Sequence, residues 1–142
     1  MVGGGMFFGM DISASALRAE RSRMNVHANN LANAFTTHDA DGNYAPYRRK
    51  KIMFKQGAEP ITGSRDFGVS VDAIEDDYDR ELIKRYEPGH PDADADGYVS
   101  YPNVHVQLEM VDMMVAQRAF EANVTAFEAS KQLMRGALQI IA

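Results

Sequence analysis

A chain of 142 residues that is 45% hydrophobic and 25% charged has the composition of one globular domain, which excludes a wholly disordered polymer. The lack of any cysteine excludes a disulfide framework, a thiolate metal site and a cysteine nucleophile. A net charge of −5 opposes a whole-chain polyanion binder, and no run approaches the roughly 18 apolar residues of a membrane span, so neither nucleic acid nor direct membrane insertion is expected.

Residues 1–9 carry the Gly3 to Gly5 triplet and no basic stretch ahead of their short Gly-Met-Phe run. They predict a flexible leader and no ordinary cleaved signal. Over residues 10–36 the pattern turns helical. Met10, Leu17, Met24 and Leu31 recur every seven residues, and Ala14, Ala28 and Phe35 form the companion row, broken by Arg21. The predicted helix runs from Ile12 to Ala34 with Asp11 or Ser13 as N-cap.

Asn25, Asn29, Asn30 and Asn33 crowd the end of this helix although Asn is a poor helix former. Either the helix frays and stops here, or the amides hydrogen-bond neighbouring helices and fix their register. Contact is favoured, because the amides sit between apolar seam residues.

Residues 37–101 lose the helical period and gain Gly, Pro and Asp, which predicts a small β-rich insert. Its strands are expected at Tyr47–Lys55, Val69–Ile74, Leu82–Tyr86 and Tyr98–Tyr101, separated by turns at Asp41–Asn43, Gly57–Ser64 and Pro88–Gly97. The basic run Arg48 to Lys51 is expected to be solvated or to face acidic residues of adjacent subunits, with Glu75, Asp76, Asp77 and Asp79 as candidates. Asp92, Asp94, Asp96 and Gly97 match the first half of a calcium loop, but Asn103 stands where the closing bidentate Glu belongs. The expectation is therefore an acidic turn in which Asp side chains bond local N–H groups and Gly97 supplies a positive φ. His27, His38, His90 and His105 show no metal-ligand spacing and are expected at the surface; no nucleophile elbow, phosphate loop or HExxH occurs. No enzyme activity and no cofactor are expected.

Residues 102–142 repeat the first pattern more strongly. Met113, Phe120, Phe127, Met134 and Ile141 recur every seven residues, with Met110, Val124 and Leu138 in the alternate row. A helix starting near Pro102 or Asn103 would place Glu109 and Asp112 early and Lys131 and Arg135 late, as the helix dipole favours. A second apolar strip, Ala119, Ala122, Ala126, Ala129, Leu133, Ala137 and Ile140, is more than a two-helix hairpin can cover, which calls for neighbouring chains. The fold class expected is α+β: long terminal helices paired as an antiparallel coiled coil, with the β-rich insert between them.

Two stretches resemble a known family. Ala28-Asn29-Asn30-Leu31-Ala32-Asn33-Ala34-Phe35-Thr36-Thr37 resembles the N-terminal motif shared by bacterial flagellar rod and hook proteins. Gly89 to Val104, followed by Glu109 to Met114 and by Arg118 to Val124, resembles the flagellar basal-body rod protein C family specifically. The resemblance implies a non-enzymatic subunit of the proximal rod, exported without a cleaved signal through the flagellar type III apparatus. It would stack with copies of itself, with other proximal-rod proteins and with the ring-to-rod adaptor into a torque-transmitting tube across the periplasm.

The expected assembly interface comprises Leu17, Met24 and Leu31, the amides Asn25, Asn29, Asn30 and Asn33, and on the second helix Met113, Phe120, Asn123, Phe127, Met134 and Ile141. Leu31→Asp or Phe127→Asp is expected to block assembly and leave the insert folded. The terminal helices of a free subunit are expected to be partly disordered. The alternatives are a soluble coiled-coil adaptor, which would form a discrete oligomer, and a calcium-responsive binding module.

Overall fold

The computed structural model describes residues 4–57 and 67–141, with side chains over 9–57 and 67–140. In chain order these are helix α1 (Gly4–Ala32), strands β1 (Lys50–Gln56), β2 (Val69–Asp76), β3 (Ile83–Tyr86) and β4 (Tyr98–Tyr101), and helix α2 (Val106–Ile141). The two long helices pack against each other and the strands form two small sheets between them in sequence, β1 with β2 and β3 with β4, an α+β fold. Gly9 of α1 adjoins Ser130 of α2, and His27 of α1 bonds Glu109 of α2, so the helices run antiparallel. Among the described residues, no helix is long and apolar enough to cross a membrane.

The chain folds as two compact units. The first comprises Met1–Met24, Ile52–Ala73 and Met114–Ala142. Its helix faces use small side chains where backbones come close: Ala19 and Ala116 are buried, and a Cβ added at Gly9 would meet Ser130 Oγ at 3.8 Å. Ser15 is also buried, and its hydroxyl donates to the Ile12 carbonyl at 2.7 Å while accepting from the Val69 N–H at 3.2 Å. That bond fixes the start of β2 on α1. The ion pair Lys55–Asp72 at 3.3 Å links β1 to β2, and Gly57 N–H donates to the Gly68 carbonyl at 3.0 Å beyond the strand ends. The predicted turn at Gly57–Ser64 lies, after Gly57, outside the described residues.

The second unit comprises Asn25–Lys51 and Ile74–Met113. Its apolar core is small, consisting of Val26, Ala34, Val99 and Val104, and buried polar groups make up much of the rest. Strands β3 and β4 pair antiparallel in the register Ile83 to Tyr101 and Tyr86 to Tyr98. The directly opposed Tyr86 and Tyr98 rings meet edge to face at 5.3 Å, as cross-strand aromatics prefer.

The predicted strands fall where the period and the turn residues put them, with β4 matching at both ends. The start of α1 differs. The helix takes in Gly4–Gly9, expected to be a leader, and Asp11 and Ser13 lie inside it instead of capping it. Packing against α2 reaches as far as Gly9, and tertiary contacts override the poor helix propensity of glycine.

Candidate functional site

One buried carboxylate joins three segments of the second unit. Glu109 stands in the first turn of α2 and is only 2% exposed. Its Oε2 accepts from His27 Nδ1 at 2.7 Å and from Asn30 Nδ2 at 3.0 Å, and its Oε1 accepts from Arg49 Nε. Burial pushes the Glu109 pKa up, but the hydrogen bonds from His27, Asn30 and Arg49, with the Arg49 charge, outweigh it and hold the carboxyl below its ordinary value. An ionised carboxylate only accepts, so His27 must carry its proton on Nδ1. His27 is therefore a buried part of the helix junction and not the surface side chain expected; it faces α2 because it lies three residues before Asn30, on the same face of α1.

Asn30 completes the junction with all four hydrogen-bonding positions of its amide. Its Oδ1 accepts from Lys50 N–H at 2.8 Å and Tyr47 Oη–H at 2.9 Å, and its Nδ2 donates to the Lys50 carbonyl at 2.9 Å as well as to Glu109. The side chain thus pairs with the first residue of β1 as a neighbouring strand would. Asn103 also binds main chain through its amide, accepting from Arg49 N–H at 2.8 Å and donating to the carbonyls of Asp77 and Arg80.

Of the four asparagines crowded at the end of α1, two are engaged as donors within the chain. Asn30 is fully buried and its amide is used within its own chain, so it presents nothing to a neighbour. Asn33 donates through Nδ2 to the carbonyl and the Oδ1 of Asn29, and its own N–H bonds the same carbonyl, which caps the end of α1. Asn25 and Asn29 remain exposed.

The basic run is likewise engaged within the chain. Its predicted acidic partners lie on this chain: Lys50 pairs with Asp76 at 2.9 Å, Lys51 with Asp79 at 2.9 Å and Arg49 with Asp77 at 3.5 Å. Arg48 stacks over the Tyr78 ring at 4.6 Å. Pairing of β1 with β2 brings Lys50 and Asp76 side by side, and Asp77 and Asp79, just beyond β2, meet Arg49 and Lys51.

The acidic turn behaves as predicted. Asp94 Oδ1 accepts from the N–H groups of Asp96 and Tyr98, and Gly97 has φ 82°. Asp92 lies instead against two imidazoles, 3.2 Å from His38 Nε2 and 3.6 Å from His90 Nδ1. His27, Glu109 and Asp112 bring ligand atoms within 4.8 Å of one another, the spacing a metal ion would need. A metal there would have to displace Arg49, Asn30 and His27 from the Glu109 oxygens, so the donor set fits the hydrogen-bonded junction better than an ion.

Over the first four turns of α2 the predicted seam and the exposed surface separate. At 100° per residue, Glu109, Met113, Ala116 and Phe120 fall on one arc of α2, and these are buried or half-buried. Leu108, Met110, Val111, Met114 and Val115 fall on the opposite arc and are between 46% and 55% exposed. Further along, Leu133, Leu138 and Ile140 are exposed as well, the first and last of them from the strip expected to lack cover. Met110 therefore lies off the seam, whereas Leu138 falls on the seam arc by the same count and is exposed all the same. Leu17, Met24, Leu31, Asn123, Phe127 and Met134 are half-buried, and Asn123 Nδ2 donates to the Ala119 carbonyl one turn back. The side chain of Ile141 lies outside the described residues.

The segments that carry this geometry are those that match known proteins. A family model described as flagella basal body rod protein matches residues 10–37, and one described as flagellar basal body rod FlgEFG protein C-terminal matches residues 95–140. The chain is 42% identical to the flagellar basal-body rod protein FlgC of Bacillus subtilis, over 94% of this chain and 97% of that protein. It is 46% identical to the protein of that name from Escherichia coli O6:H1, over 87% and 89% of the two chains. It is 38% identical to the one from Borreliella burgdorferi, over 96% and 98%.

Proposed function

The chain belongs to the FlgC family of flagellar basal-body rod proteins, and from that premise we propose that it is a structural, non-enzymatic subunit of the proximal part of the rod. The observation that carries the mechanism is the apolar outer arc of α2, Leu108 to Val115, which the chain's own folding leaves in water. A face of this size and composition is suited to burial against another chain. Subunits that repeat such a contact head to tail, with a rotation that does not close, build a helical shaft able to carry torque.

Within this reading the subunit contacts copies of itself, other proximal-rod proteins and the ring-to-rod adaptor, and reaches the periplasm through the flagellar type III export apparatus. Family membership supports these partners. Of the residues expected at the interface, Leu17, Met24, Leu31, Met113, Phe120, Phe127 and Met134 serve first to pair the two helices. The outward apolar residues and the exposed Asn25 and Asn29 take the intermolecular role.

The test is Val111→Asp, because Val111 is 51% exposed and lies opposite the helix seam. The purified variant is expected to unfold within about 0.5 kcal/mol of the parent, as surface changes do. Cells dependent on it are expected to be non-motile and to lack this chain in isolated basal bodies. Normal motility would refute the assembly face. Leu31→Asp and Phe127→Asp are less discriminating, since both sites are half-buried in their own molecule.

A further inference from the structure

A groove in the second unit adjoins the start of the outer arc of α2, where Gln107 precedes Val111 by one turn. It encloses about 310 Å³, against the roughly 150 Å³ that accommodates a benzene molecule, and its floor is made by the buried Ala34, Pro102 and Val104. Phe35, 66% exposed, stands on it just beyond the end of α1. The polar part of its lining is cationic or neutral: Arg85, whose guanidinium lies 5.2 Å from the Tyr101 ring centre, and the exposed His105 and Gln107. An apolar cavity edged by a guanidinium takes an apolar group that carries negative potential.

A helix C-terminus with no basic residue in its last turn is such a group. Its final carbonyls lack intrahelical partners and carry about half a negative charge. The α2 helix has this character, with no basic residue in its last turn and with Leu138 and Ile140 61% and 87% exposed. Its own tail cannot be the occupant, because a 36-residue helix separates its first and last turns by about 50 Å and the groove is lined by Val106 and Gln107 of the first turn.

We propose that this groove receives the apolar C-terminal turn of the last helix of an adjoining rod subunit. The branched side chains of that turn pack on Phe35 and Val104, and Arg85 meets the free carbonyls. The proposal rests on the rod reading above and adds to it the partner of one specific surface.

The experiment places the photo-cross-linking residue p-benzoylphenylalanine at Phe35 in flagellated cells, followed by irradiation, isolation of basal bodies and mapping of the linked peptides. The expected link joins position 35 to the final two turns of a rod subunit's C-terminal helix. Arg85→Glu is expected to lower its yield about fivefold, and Arg85→Lys to preserve it. Links to other segments, or none from protein that is present in basal bodies, would overturn the docking and leave the rod reading intact. Absence of the unsubstituted chain from basal bodies would overturn the rod reading itself. Should the Phe35 substitution prevent incorporation, the same probe at His105, which is exposed and lines the groove away from the outer arc, gives the decision, with the same expected and contrary results.

Discussion

Glu109 shows how one side chain joins α1, the segment entering β1 and α2. Three donors from two segments converge on a carboxylate that is 2% exposed, so removing it leaves Arg49 and His27 without their acceptor in a buried place. Glu109→Ala is expected to destabilise the second unit by about 3–5 kcal/mol, read from urea denaturation of the purified chain. The pH dependence follows from the direction of the shift. The folded carboxyl titrates below its ordinary value of 4.5, so the unfolded chain binds the proton more readily. The stabilisation is complete above that value and is lost as pH falls through the lower folded pKa. Glu109→Gln is expected to flatten the acid limb of a stability profile; an unchanged limb would mean that other carboxylates set it. Asn30→Ala is expected to cost about 1–3 kcal/mol, because the Lys50 backbone N–H and carbonyl lose the amide that pairs with them.

At the level of elements, the link between β3 and β4 depends on Gly97. Its φ of 82° lies in the left-handed region, and an added Cβ would fall 2.9 Å from Tyr86 Cε2 and 3.2 Å from Pro88 Cβ. Gly97→Ala is expected to lower thermal stability by about 1–2 kcal/mol, with loss of the Tyr86–Tyr98 ring contact visible in the aromatic proton spectrum. This turn was legible in the sequence because its signal is local: Asp94 bonds N–H groups two and four residues on, and glycine marks the positive φ. The strands were legible for the same reason. The helix junction was not, since Glu109 and His27 are 82 positions apart and nothing in either neighbourhood names the other. A signal was nevertheless present. Glu109 lies four residues before Met113 and seven before Ala116, on the apolar seam itself, where a charge requires a buried partner. The helix dipole accounts for an acid in the first turn but not for one on that face. Asn30 and Asn33 carry intramolecular tasks, a strand-like amide and a capping bond, that their residue type alone does not distinguish from contact with a neighbour.

For the molecule as a whole, the two types of surface on α2 predict how stability varies along it. The first turns carry Glu109 and the buried Ala116, whereas the last turns carry Leu133, Leu138 and Ile140 at 61–87% exposure. Helical propensity alone holds an isolated turn only marginally, so protection against exchange depends on side chains buried against a partner. In a dilute free subunit, amides over Asn25–Ala32 and Val106–Ala116 are expected to exchange slowly, and protection should decline towards Ile141. Assembly should then protect the tail, because docking buries the exposed side chains and supplies donors for the last carbonyls. Hydrogen–deuterium exchange on the monomer and on isolated basal bodies measures both states. Equal protection of Leu133–Ile140 in the two would show that the tail gains nothing from neighbours, and the intermolecular role assigned to the apolar end of α2 would fall with it.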